Sequence, residues 1–165
     1  MDRNIFEIFP APDSVPAEGL IRATIFRENG TIERHPWIHN SVTAAGLNTL
    51  AAKAIVTSHS AGFNVIAIGS GTDVSSLGST LLTHEVGRKA ASTAVTSQSL
   101  IVLVSSWGGS ADGISSVPLS EAGIFNSVSS GQPTMLDRIT SVNATLANSD
   151  TLLLECIFRI GSHNL

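Results

Sequence analysis

Tyrosine is absent from this chain of 165 residues, cysteine occurs once, and only 13% of the residues are charged. Each shortage excludes something. The lone Cys156 has no partner for an intrachain disulfide and leaves no material for a metal–thiolate cluster. Set in the run LLLECIF, it reads as a small buried hydrophobe. With no tyrosine and only Trp37 and Trp107, the chain is poor in the aromatic platforms on which sugars stack. The charged fraction falls well below the average of about 25%, so little of the surface is strongly solvated, and such a composition suits a domain partly covered by neighbours. A formal charge of −4 with no basic stripe supplies none of the phosphate contacts that dominate nucleic-acid affinity, so no nucleic acid is expected as a partner. The chain does not open on a basic stretch followed by an apolar run, and no segment approaches about 18 uninterrupted apolar positions. Synthesis in a cytosol and no membrane span are therefore expected. Asn143-Ala144-Thr145 matches the glycosylation sequon, but without an export signal no modification is expected there.

What is present fits one domain, since a chain of this length buries roughly two-thirds of the surface its unfolded form exposes. Residues 1–18 hold Pro10, Pro12 and Pro16 after the apolar cluster Ile5, Phe6, Ile8 and Phe9. This fits an extended arm that either reaches a neighbour or lies over its own domain. The remainder, 19–165, reads as a β-sandwich domain. Residues 19–38 form a hairpin: Leu20, Arg22, Thr24 and Phe26 alternate with Ile21, Ala23, Ile25 and Arg27, and Asn29-Gly30 suits a type I′ turn. Over about 41–56, Leu47, Leu50, Ala51, Ala54 and Ile55 recur at helical spacing, and Ser41 or Thr43 can cap the start. Gly46 marks close packing or a late helix start. Strand signals follow at 64–68, 94–106, 122–125, 136–146 and 151–160, separated by Gly-, Ser- and Asp-rich turns, with a loop at 58–62. The run LIVLV at 100–104 is apolar on both sides, which suits cover by a second sheet, by the helix or by another subunit. Six to nine short strands and one packed α-helix give a mainly β fold, an antiparallel β-sandwich of jelly-roll type.

Tests for chemistry come out negative. Gly69-Ser70-Gly71-Thr72 could cradle an anion with its amides, but no Gly-Lys-Ser/Thr is present and Val74 replaces the third glycine of a dinucleotide fingerprint. It reads as a tight strand-exit turn. No Gly-x-Ser-x-Gly elbow occurs. His35 and His39 lie roughly 13 Å apart on an extended chain, too far to share a metal. His84, Glu85 and Arg88 read as a loop-fixing salt bridge more readily than as an acid/base group. Of thirteen acids, Glu85, Glu121 and Glu155 sit among apolar neighbours, and Arg88, Arg138 and Arg159 are natural partners that would neutralise them. No catalytic residue, cofactor or metal site is expected, and the chain is read as a non-enzyme.

Two stretches echo one another: Phe63–Arg88 and Ile114–Phe125 each place an apolar strand beside a Gly/Ser turn and a lone glutamate, Glu85 or Glu121. Three segments in order, NSVTAAGLNTL (40–50), IAIGSGTDVSSLGSTLLTHEVGR (66–88) and LSEAGIF (119–125) followed by Met135-Leu136-Asp137-Arg138, resemble small virion accessory proteins of tailed bacteriophages, of the capsid-decoration and of the tail-fibre or collar type. The resemblance rests on the I-G-x-G-T…E-x-x-R and E-A-G-L/I-F motifs, ends in the Asp150–Leu154 strand and covers about 39–160. It departs in Ile124, where leucine is usual, and in the arm and hairpin before residue 40. It implies a virion structural protein, with Glu85–Arg88 and Glu121–Arg138 as ion pairs tying loops to strands.

The expected role is capsid decoration, with binding through apolar faces and the arm. The expected partners are the major capsid protein or tail proteins and other copies of this chain. A trimer is the expected form, because threefold positions let a small domain bridge several capsid subunits. A tail or collar fibre adaptor and a host-glycan-binding module are the alternatives. The expected location is the virion, assembled in the cytoplasm of a host bacterium.

Overall fold

Alternating apolar residues make the first strand one-sided, and the structure shows which side is covered. In this computed structural model, which describes residues 17–55, 62–97, 100–129 and 133–160, strand β1 (Ala17–Phe26) buries Ile21, Ala23 and Ile25. Two short strands, β2 (Ile32–Arg34) and β3 (Ile38–His39), pair antiparallel with one side of β1. A further two-residue strand, β4 (Ser41–Val42), leads into helix α1 (Ala44–Ile55). There follow β5 (Val65–Gly69), β6 (Glu85–Ala90), β7 (Thr93–Ser97), β8 (Leu100–Gly108), β9 (Leu119–Phe125), β10 (Met135–Ala144) and β11 (Thr151–Ile160). The first sheet runs β2-β1-β11-β8-β7 with β3 also on β1, and the second runs β4-β10-β9-β5-β6. Every strand pair is antiparallel. The fold is thus the mainly β, two-sheet sandwich with one helix that the sequence suggests. No helix among the described residues is long and apolar enough to cross a membrane.

The core lies between the sheets. Ile21, Ile25, Leu103, Trp107, Leu154 and Phe158 of the first sheet share a cluster with Ile66, Ile68, Ile124, Leu136 and Ile139 of the second. The second sheet is also covered on its other face, where Val65, Ala67, Phe125 and Met135 join Leu82 from the long β5–β6 loop. All five residues of β5 are therefore buried. LIVLV in β8 is different: Leu103 is buried, but Val102 and Val104 are half-buried on the outer face of the first sheet. Of the covers expected for this run, the second sheet supplies one side, and no described element covers the other.

Local chemistry explains where the elements begin and end. Thr43 precedes α1, and its Oγ1 accepts the Gly46 amide at 3.0 Å while donating to the Met135 carbonyl. This cap contributes about 1 kcal/mol. Gly46 is needed for approach, since a Cβ there would lie 2.6 Å from the Leu136 Cα.

The sequence reading departs from the structure in several places. The hairpin turn is not type I′, because Gly30 (φ 83°) is the left-handed residue and Asn29 is not. A five-residue connection separates the Phe26↔Ile32 pair, and Asn29 Oδ1 accepts the Thr31 amide. After the His35 amide donates to the Ala23 carbonyl at 2.9 Å, Pro36 and Trp37 leave the ladder before β3 resumes it, as expected of proline, which has no donor. The span 94–106 is two strands, β7 and β8, and β6 is an additional strand that the polar segment EVGRKA did not suggest. The described residues hold eleven strands rather than six to nine. The arm read over 1–18, with Ile5, Phe6, Ile8 and Phe9, lies outside the described residues up to position 16, and Ala17 and Glu18 belong to β1. Of the loop read at 58–62, only Gly62 is described.

Candidate functional site

Period-two alternation places Glu121 on the same face of β9 as Gly123 and Phe125, the face turned away from the sandwich core. Arg138 reaches it from neighbouring β10. Its Nε and Nη2 donate to Glu121 Oε2 at 3.0 and 2.7 Å, and Nη2 also donates to Thr83 Oγ1 at 2.7 Å. The remaining capacity of the carboxylate is filled by backbone: Gly71 and His84 amides donate to Oε1 at 3.0 and 2.7 Å, and the Thr83 amide to Oε2 at 3.0 Å. The two side chains are 0% and 4% exposed.

This explains the glycines of the Gly69-Ser70-Gly71 turn. A Cβ on Gly71 would lie 2.4 Å from Glu121 Oε1, and one on Gly69 would lie 2.5 Å from the His84 carbonyl oxygen. The turn does give a backbone amide, that of Gly71, to an anion, but the anion is the protein's own carboxylate. Burial pushes the Glu121 carboxyl upward, and the His84 and Thr83 amides with the Arg138 guanidinium overcome this and hold it below the usual range. A sealed carboxylate with five hydrogen bonds has no lone pair left for proton transfer. Its effect is structural: it pins both ends of the 70–84 loop to the second sheet.

The second expected pair forms beside it. Glu85 and Arg88 are three apart on β6, a spacing that in a regular strand points side chains to opposite faces. The register shift between Ile68↔Gly87 and Gly69↔Glu85 inserts an extra residue and brings them together. Arg88 Nε and Nη2 each lie 2.6 Å from a Glu85 oxygen, its Cζ stands 4.3 Å from the centre of the Phe125 ring, and Nη1 donates to the Ser127 carbonyl at 3.0 Å. Arg88 thus holds the segment that follows β9, at Ser127, as Arg138 holds the 70–84 loop at Thr83. The His84 side chain stays exposed and contributes through its amide. Glu155 pairs with Arg22, its cross-strand neighbour, rather than with Arg159; Arg22 Nε and Nη2 reach its oxygens at 2.9 and 3.0 Å.

The 70–84 loop roofs the outer face of the second sheet through Leu82, and both anchored loops carry apolar side chains in water. Val74 is 88%, Leu77 66%, Leu81 51% and Val128 59% exposed. The 70–84 loop is also fixed in its middle, where the Leu77 carbonyl accepts the first helical amide, Ala44, at 2.9 Å and Ser75 Oγ meets Ser41 Oγ at 3.0 Å. Exposed aliphatic residues on a loop held this firmly form a presented surface.

Two features escaped the sequence reading. Arg27 ties the hairpin tip down, donating to Glu33 Oε1 and Oε2 at 2.9 and 2.6 Å and to Asp150 Oδ2 at 2.8 Å. Asp137, next to Arg138 in β10, is wholly buried and faces the Asn40 amide, not a cation. Burial pushes its carboxyl up to about 7, against the opposing Asn40 and Ile124 hydrogen bonds. Asp137 Oδ1 has no partner among the described residues. The lone signal was a second charge beside Arg138, set between apolar Leu136 and Ile139. Among the described residues, no three His, Cys, Asp or Glu side chains gather as metal ligands. In comparisons with protein-family models, with curated proteins and with solved structures, nothing matches this chain.

Proposed function

We propose that this chain is a non-enzymatic structural protein of a tailed-bacteriophage virion, and that it decorates the capsid. The observation that carries the reading is the roof of the second sheet, where Val74, Leu77 and Leu81 face water on a loop anchored by Glu121–Arg138, together with exposed Val128 on the segment held by the Glu85–Arg88 pair. The charged groups are spent on holding the loops and the apolar groups are left outward, an arrangement suited to docking and not to turnover. The resemblance of residues about 39–160 to phage virion proteins supports the same reading. The major capsid protein is the partner that this roof would meet, and the arm bearing Ile5, Phe6, Ile8 and Phe9 is a second contact. Trp37 is the more exposed of the two tryptophans, but Arg22 stacks on its ring at 4.3 Å, which favours packing over sugar stacking.

Particles assembled with and without the protein test this by their rupture temperature. Decoration requires that adding the protein raises it. An unchanged rupture temperature with restored fibre attachment would replace decoration by the adaptor role. Binding of the isolated chain to glycans, with no binding to particles, would overturn the virion reading.

A further inference from the structure

The first sheet ends on β7, and that edge is built unlike the others. A free strand edge templates pairing with another chain, and proteins blunt it with short strands, charges or proline. At the opposite edge of the first sheet β2 and β3 are three and two residues long. The second sheet ends on two-residue β4 at one side and on β6, with Glu85, Arg88 and Lys89, at the other. The sequence of β7 is Thr-Ala-Val-Thr-Ser, with no charge, proline or glycine across five residues. Its inner side pairs with β8 from Thr93↔Val104 to Ser97↔Leu100, and no described residue pairs with its outer side. The sheet face beside it carries Val102 and Val104 of β8 and Leu153 and Ile157 of β11, all half-buried, around the Glu155–Arg22 pair, and no described element covers it.

We propose that two copies of this chain pair through β7, antiparallel about a two-fold axis at Val95, so that the first sheet continues from one copy into the next. The free donors and acceptors of an edge are complementary to another extended backbone, and the blunted edges offer no equal match. Self-pairing sets Thr93 opposite Ser97, Ala94 opposite Thr96 and Val95 opposite itself, with no like charges brought together. It adds about four to six backbone hydrogen bonds and joins the two outer faces, with their Val102, Val104 and Ile157 side chains, into one platform. The pairing is closed and two-fold, in place of the threefold assembly that the sequence suggested. It stands independently of the virion reading, since it concerns the purified chain alone.

Sedimentation of the purified protein over a wide concentration range should show a two-chain particle. Val95→Lys sets two ammonium groups against each other at the axis, and should give single chains with an unchanged circular dichroism spectrum. Val95→Cys should form a covalent dimer on mild oxidation, whereas Thr31→Cys at the hairpin tip should not; the native Cys156 is buried and does not interfere. A native protein that sediments as one chain at every concentration overturns the proposal. So does a Val95→Lys variant that still forms the dimer. If Val95→Lys does not fold, the cysteine pair decides: equal cross-linking at positions 95 and 31, or none at 95, rejects the axis.

Discussion

Glu121 and Arg138 face each other across the β9–β10 ladder at 2.7 Å, both sealed from water. Removing one partner of a buried pair leaves the other charged and uncompensated, which typically costs about 3–5 kcal/mol. Glu121→Gln should therefore lose stability on this scale in urea unfolding. The double change Glu121→Met with Arg138→Met removes both charges but strands the Gly71, Thr83 and His84 amides. It should remain less stable than the native protein. Full recovery in the double variant would show that the amide cradle contributes nothing.

Gly71 and Gly62 make a matched comparison. A methyl group on Gly71 would meet Glu121 Oε1 at 2.4 Å and Thr83 Cβ at 2.6 Å, whereas one on Gly62 meets no described residue within 4 Å. Neither glycine has a positive φ, so the contrast is one of space alone. Gly71→Ala should destabilise by roughly 1–3 kcal/mol, the range for overpacking, and Gly62→Ala should be neutral or slightly stabilising. Thermal unfolding of the two variants measures the difference, and similar melting temperatures would refute the enclosed-carboxylate account.

Asp137 gives the protein an alkaline weakness. Its carboxyl stands at about 7 in the fold but near 4 in an unfolded chain. The fold thus holds a proton that the unfolded chain has lost, so stability falls as pH rises from about 4 to about 7 and levels off above that. The acid side is set by groups shifted the other way. Burial raises Glu121, but its amides and Arg138 hold it low, and the Ala147 amide with Arg27 holds Asp150 low. Their contribution is present above about pH 4 and is lost below it. Melting temperature against pH should peak at about pH 4–5 and fall toward neutrality. Asp137→Asn should flatten the decline between about pH 4 and about 7 and leave the acid side unchanged. A native protein as stable at pH 9 as at pH 5 would contradict this.

The parts of this fold that could be read from sequence were those with a local cause. The β1 alternation and the Thr43 cap act over a few residues, and glutamates among apolar neighbours pointed to arginine partners. What stayed hidden depends on partners distant in the chain. β6 exists because EVGRKA pairs with buried β5. Gly71, in the turn read as a strand exit, donates to a carboxylate fifty residues away, a partner that nothing local in the sequence reveals. Asp137 faces Asn40 across 97 residues of sequence, and neither residue marks the other. Glu155 shows the limit of neighbourhood reasoning: Arg159 is close in sequence, but Arg22 is opposite in the sheet.

The roof of the second sheet separates folding from docking. Val74, Leu77 and Leu81 are largely in water, so replacing each by serine removes little packing and should change stability by no more than about 0.5 kcal/mol. The backbone bond from Ala44 to the Leu77 carbonyl and the Glu121 anchors do not depend on these side chains. The triple variant should therefore unfold at the native urea midpoint. If the roof meets the particle, the same variant should lose co-sedimentation with particles that lack the protein, because docking is where those side chains leave water. Glu121→Gln should also weaken particle binding, but together with a lower urea midpoint, since it loosens the loop from below. A triple variant that binds particles as the native chain does would remove the roof from the contact and leave the exposed leucines without a role in assembly.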